Sequence, residues 1–396
     1  HITTDNGLAS NTITNIFQDY YGFIWIGTYA GTHRYDGITF KIYTNDPNNE
    51  TSIPHNIAES FYEDKRKNLY IGTHMGLCKY NRITDDFHSY YYDKNSCLFG
   101  KYMNVKSIVE YKNFLLLATD NGFYMFDPDK NLLKEYLSDT IDGSLSSSNL
   151  ESVFLDSKNR IWIGTSKGLN IFDEKNNKFI LVNTDVTGNL KHDNLYITSI
   201  TEDKYNNIWC GATKGLFQVI EKNNEFYLKK YYFKAGKYSE NFNNIKCLFI
   251  DNENNLWIGS ENGGLNFFNK QTGEFKHYGI DEYNVLSLNN ESIWKIYEDN
   301  KNNLWIATFA GGINLKTPNS QAFRLFTYIS GKRNGLSGNS VRNFFEQDSN
   351  KIWICTDGGG LDLLDLKTGK FIVFNMDNSN IPSNAILSIA KDKKTG

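Results

Sequence analysis

The chain has 396 residues, 40% hydrophobic and 15% aromatic, which suffices for a large core rich in strand-favouring Phe, Tyr and Trp. A formal net charge of -3 and the lack of any basic run interleaved with aromatics exclude nucleic acid as an expected partner. No stretch reaches the roughly 18 consecutive apolar residues of a membrane span, and no signal-type segment opens the chain, so the expectation is a soluble, mature or trimmed form starting at His1.

In chain order, a first segment of type Asn-x-Ile-x-x-Ile-x-x-Asp runs from Asn11 to Asp19 and returns at Asn56 to Asp64 and Asn243 to Asp251, more loosely at Leu195 to Asp203 and Glu291 to Asp299. A turn rich in residues that tolerate left-handed backbone follows, as in Tyr20-Tyr21-Gly22 and Asn300-Lys301-Asn302-Asn303. Next comes an apolar strand around Trp25, with counterparts at Tyr70, Leu116, Trp162, Trp209, Trp257, Trp305 and Trp353, spaced about 45 to 48 residues apart. A glycine-containing tip turns the chain into a third strand such as Gly168 to Asp173, and a weaker fourth follows, such as Phe179 to Val182. Four short strands per unit predict an all-β fold, a β-propeller of four-stranded blades, with the repeated tryptophans as packing residues between blades.

The pattern Asn-Gly-Leu-x-x-Asn occurs at Asn6 to Asn11 and again at Asn334 to Asn339, seven repeats later. It predicts a seven-bladed ring over 1–317, with His1 to Thr4 as the outermost strand of its last blade, and the beginning of a second, incomplete propeller over 318–396. The alternative is a single eight-bladed ring.

The five cysteines, Cys78, Cys97, Cys210, Cys247 and Cys355, are odd in number and lack CxxC or Cys/His spacing. They read as buried free thiols, with no metal and no cofactor expected, and they leave the compartment open. Asp251 to Asn255 resembles the start of a calcium loop without its glycine and distal glutamate, and reads as a turn.

The run Asp19 to Thr28, Asp-x-x-Gly-x-x-Trp-Ile-Gly-Thr, with Gly31 to Gly37 after it, resembles the two-component regulator propeller repeat, and the resemblance extends over essentially the whole chain. Phe114 to Thr119 departs from it most, lacking the Trp and the turn residues before it. The resemblance implies the periplasmic sensor region of a Bacteroides-type hybrid two-component histidine kinase. It further implies two successive seven-bladed propellers, a β-sandwich, one membrane span, a kinase and a response regulator, with carbohydrate fragments as signal and a homodimer as working unit. No phosphoacceptor helix and no nucleotide loop occurs here, so the chain itself is expected to sense and not to catalyse.

Two other readings compete. A propeller lyase for polysaccharide or antibiotic would need a histidine or tyrosine base, for which His33 and His74, near hairpin tips of successive blades, are the candidates. A protein-interaction propeller would show a contiguous apolar face. The loops are instead polar with scattered aromatics and lysines, which suits an oligosaccharide. The expected site lies where the tips between second and third strands gather: Trp294, Tyr29 and Phe309 for stacking, Lys167 and Lys214 for an acidic sugar, and His74, Tyr102 and Tyr238 around them.

Overall fold

The computed structural model describes residues 1–90, 103–184, 195–223, 225–233, 241–281, 287–318, 328 and 335–390. Eight antiparallel sheets follow one another along the chain. The chain divides into two compact units, His1–Asp281 with Leu286–Pro318, and Glu282–Val285 with Asn319–Gly396.

In the first unit, sheet 1 is Ile13–Gln18, Ile24–Thr28, Gly31–Tyr35 and Phe40–Tyr43, paired in that order. Sheets 2, 3, 4 and 6 repeat this plan from inner strands Ala58–Glu63, Val105–Tyr111, Leu150–Leu155 and Ile245–Ile250. Sheet 5, starting at Ile197–Glu202, gains a fifth strand, because Asn183–Thr184 pairs in parallel with Glu225–Tyr231. Sheet 7 has three strands of its own, Ile293–Glu298, Leu304–Thr308 and Ile313–Lys316, and Ile2 takes the fourth place. Ile2 and Ile313 exchange both backbone hydrogen bonds at 2.8 Å. The inner strand of each sheet neighbours that of the next, and the seventh neighbours the first.

Two local devices recur among the sheets. The aspartate ending an inner strand receives the amides of the following turn, as when Asp19 Oδ1 accepts from Tyr21 and Phe23, while its Oδ2 accepts the indole N–H of Trp25 at 3.0 Å. The same indole bond joins Trp162 to Asp156, Trp209 to Asp203, Trp257 to Asp251 and Trp305 to Asp299. These second strands are buried along their whole length, which explains their unbroken apolar sequence. The second device, in sheets 1, 2, 4, 5 and 6, is a glycine two residues after the tryptophan slot: a Cβ at Gly27 would stand 2.3 Å from the carbonyl oxygen of Ala58, and one at Gly72 would stand 2.4 Å from that of Val105. Glycine here lets the next sheet's inner strand approach.

Sheet 3 forms without either the tryptophan or the aspartate. Its short turn carries Lys112 at φ 56, and Leu115, Leu116 and Leu117 fill the core. The described cysteines, Cys78, Cys210, Cys247 and Cys355, are buried and free. In the second unit, sheet 8 comprises Val341–Asp348, Lys351–Thr356, Gly360–Asp365 and Phe371–Phe374. Its inner strand alternates between partly buried and exposed residues, whereas the inner strands of the other sheets each begin on a buried residue.

Candidate functional site

The inner strands of the first unit share an irregularity. In each, the register with the second strand slips between the first and third residues, at Ile13/Asn15, Ala58/Ser60, Leu150/Ser152, Ile197/Ser199, Ile245/Cys247 and Ile293/Lys295, and at the matching place in sheet 3. A bulge leaves its extra residue out of the ladder and re-aims its side chain. The residues so released are Thr14, Glu59, Lys106, Glu151, Thr198, Lys246 and Trp294, and all seven line one cavity of about 470 Å³ among the inner strands. That volume lies within the range of small-ligand sites.

The residues one step further along mostly stitch neighbouring strands. Asn15 Nδ2 donates to the Glu59 carbonyl at 2.7 Å, Ser60 Oγ to that of Val105 at 2.8 Å and Ser107 Oγ to that of Val153 at 3.3 Å. From the bulge column, Thr198 Oγ1 likewise donates to the Ile245 carbonyl at 2.8 Å.

The wall is chemically uneven around its circumference. Lys106 Nζ meets Glu151 Oε2 at 2.8 Å, and the Tyr196 hydroxyl donates to the same oxygen at 2.6 Å. Burial, followed by the charge of Glu151, holds the Tyr196 phenol well above its ordinary pKa. Lys246 pairs with Glu261 at 3.0 Å, and His74 Nε2 lies 2.7 Å from Glu59 Oε1. The His74 ring stacks on His55 at 5.3 Å, and His55 is shifted down by burial and then by the charge of His74. Opposite in character is an aromatic group: Trp294 lies 4.8 Å from Phe309 and 6.0 Å from Tyr29, ring centre to ring centre. Tyr29 is 44% and Phe309 42% exposed, so their rings are open to solvent.

The structure thus brings together Trp294, Tyr29 and Phe309, and sets His74 on the same cavity wall. Lys167 is exposed on the tip of sheet 4 and Lys214 half-buried on that of sheet 5, and neither lines the cavity. Tyr102 and Tyr238 lie outside the described residues. Of the two candidate bases, His33 is fully buried and its Nε2 accepts the Ala9 amide at 2.9 Å, so it is not placed at an open tip, while His74 is engaged by Glu59 and His55. The expected site residues did not include Glu59, Lys106, Glu151, Lys246 or Lys295, all of which line the cavity. The bulge that aims the column inward leaves no residue-type signature.

Among the described residues no group of three or more His, Cys, Asp or Glu side chains could hold a metal ion, and no helix is long and apolar enough to cross a membrane.

Comparison with known proteins gives a consistent picture. The solved extracellular domain described as that of the hybrid two component system BT3049 from B. thetaiotaomicron is 26% identical, with a TM-score of 0.73 over 99% of this chain and 50% of that one. That of the one component system BT4673 from the same organism is 25% identical, with a TM-score of 0.65 over 93% of this chain and 53% of that one. The chain therefore spans about half the length of these solved relatives. Histidine kinase P4 of Formosa agariphila is 45% identical over 51 residues, 13% of this chain and 4% of the kinase. A catalytically inactive virginiamycin B lyase from Staphylococcus aureus, 12% identical with a TM-score of 0.56 over 78% of this chain and 97% of that one, shares the fold alone. The family model for the two component regulator propeller matches residues 7–30, 239–262 and 287–310. Those three matches fall on the first two strands of sheets 1, 6 and 7, and the chain resembles, in fold and in these repeats, the extracellular domains of two-component systems.

Proposed function

We propose that this chain is the periplasmic ligand-sensing region of a hybrid two-component system, that it binds an oligosaccharide at the inner-strand cavity of its first unit, and that it passes the signal to a histidine kinase without altering the sugar. In this reading residues 1–317 form a complete seven-bladed propeller, 318–396 begin a second, and the working unit is a homodimer. The observation that carries the sugar reading is the open cluster of Trp294, Phe309 and Tyr29 beside a wall of hydroxyls, carboxylates and lysines. Aromatic faces cover the apolar face of a pyranose, and the polar wall supplies directional hydrogen bonds.

Calorimetry against a panel of plant and host oligosaccharides tests this, with Trp294→Ala and Phe309→Ala beside the wild type. Binding that weakens in both variants while the sugar is recovered intact supports a sensor. Undiminished binding in both would move the site elsewhere. The His74–Glu59 pair on the cavity wall gives the lyase reading its one concrete footing, a histidine held by a carboxylate as a general base would be. Chain shortening of the recovered sugar, lost in His74→Ala, would decide for it.

A further inference from the structure

Lys295 stands apart from the residues that share its column. The equivalent positions are small, Asn15, Ser60, Ser107, Ser152, Ser199 and Cys247, and several of them stitch strands together. Lys295 carries a long cationic chain into the cavity instead. The other cations of the wall are satisfied, Lys106 by Glu151 and Lys246 by Glu261, and His74 is held by Glu59. Among the described residues, no carboxylate stands within ion-pair distance of Lys295. Beside it, Cys247 is a buried thiol whose pKa is pushed up to about 12, so it supplies no counter-charge near neutrality.

A partly buried ammonium without an anion is unfavourable, since burial penalises the charged form unless it is paired. Unmet hydrogen-bonding groups gather on the same wall. Trp294 Nε1 and the Oγ of the buried Ser152 are two enclosed donors, and Asn104 Oδ1 is an enclosed acceptor, none with a partner. Buried polar atoms are otherwise almost always satisfied, so the wall carries unmet polar groups behind its surface, while Lys295 itself opens onto the cavity. A cavity lysine without a carboxylate partner suits an oxyanion.

We infer that Lys295 is the determinant of ligand charge at this site: it receives the carboxylate or sulfate of an acidic sugar whose ring rests on Trp294. The inference rests on the cavity being the sugar site, and it replaces Lys167 and Lys214 as the anion's partners. Burial lowers the Lys295 pKa, and an anion beside it favours the charged form again, so binding takes up a proton. The other titratable groups on the wall, Lys106, Lys246, Glu59, Glu151 and His74, already have partners.

The test is calorimetry of this chain with sodium glucuronate and with sodium sulfate, at ionic strength matched with sodium chloride, in two buffers of different ionisation enthalpy. Wild type is expected to bind the anions saturably with proton uptake. Lys295→Met should weaken this by about tenfold or more, as for loss of a hydrogen bond to a charged group, and abolish the uptake. Lys214→Met should behave as wild type, and the thermal midpoint of each variant reports its fold. Absence of saturable binding by either anion, or unchanged binding by Lys295→Met, overturns the proposal. Lys295-dependent sulfate binding in a chain that binds no oligosaccharide would sustain the anion site and overturn the sugar reading alone.

Discussion

The two ends of the second strands in the first unit obey different chemistry. At the end joined to the inner strand, one arrangement recurs: an aspartate capping its turn and holding an indole, at Asp19, Asp156, Asp203, Asp251 and Asp299. At the other end the tips read Tyr29, His74, Asp120, Lys167, Lys214, Glu261 and Phe309, and the bulged residues near them run from threonine through glutamate and lysine to tryptophan. Backbone geometry is nonetheless alike at both ends, down to a bulge in the same place in each inner strand. Uniform chemistry marks the end that holds the fold, and varied chemistry on a uniform backbone marks the end free to recognise something.

The largest expected effect tests the uniform end. Trp162 is fully buried, and its indole N–H is held by Asp156 at 2.8 Å. Trp162→Ala should cost about 3 to 5 kcal/mol, as truncation of a buried aromatic does. Denaturant unfolding measures it, while affinity for whatever ligand binds should hold in the folded fraction. A stable Trp162→Ala variant that had lost its ligand would erase the distinction between the two ends.

Much of this division is legible in the sequence. The spacing of Trp25 to Trp353 carries the repeat, and the glycine tips carry the hairpins, because burial of the second strand and the positive φ of Gly31, Gly76 and Gly168 admit few residue types. The pairing of Ile2 with Ile313 followed from finding a strand-like segment before the first unit and a missing strand in the last. The site was legible only in part. Trp294 was legible as a stacking aromatic, but Lys295 looked like an ordinary surface lysine, since nothing local distinguishes a lysine in a cavity from one in solvent. The burial of His33 was missed for a related reason: its partner, the Ala9 amide, is backbone, which has no sequence identity.

A second, smaller effect sharpens the comparison by locating a structural residue at the varied end. Asn170 Oδ1 accepts the Ser146 amide and Asn314 Oδ1 the Asn289 amide, both at 3.2 Å, and His33 does this for Ala9 in sheet 1. Burial lowers the His33 pKa to about 4 from an ordinary value of 6.5. The unfolded chain therefore binds the proton first as pH falls. The stability His33 contributes is complete above about pH 6.5 and is lost as pH falls through that value towards about 4, a change of about 3 kcal/mol. His33→Asn should keep the amide bond and remove this part of the pH dependence. Denaturant unfolding of both proteins between pH 7 and 4 gives the difference, and parallel curves would place the His33 proton elsewhere.

The smallest effect on stability is expected where the effect on binding is largest. Trp294 is half-buried, sits on a bulge outside the ladder and touches Tyr29 and Phe309, themselves 44% and 42% exposed. Its indole N–H has no partner to lose, unlike that of Trp162. Trp294→Ala should therefore cost about 1 kcal/mol of stability, the scale of an aromatic pair contact, against several for Trp162→Ala. Oligosaccharide affinity should fall at the same time. Comparable losses of stability in the two variants would mean that Trp294 fills the centre of the ring as Trp162 fills the space between blades. A large affinity loss at nearly unchanged stability is the outcome only a ligand platform produces.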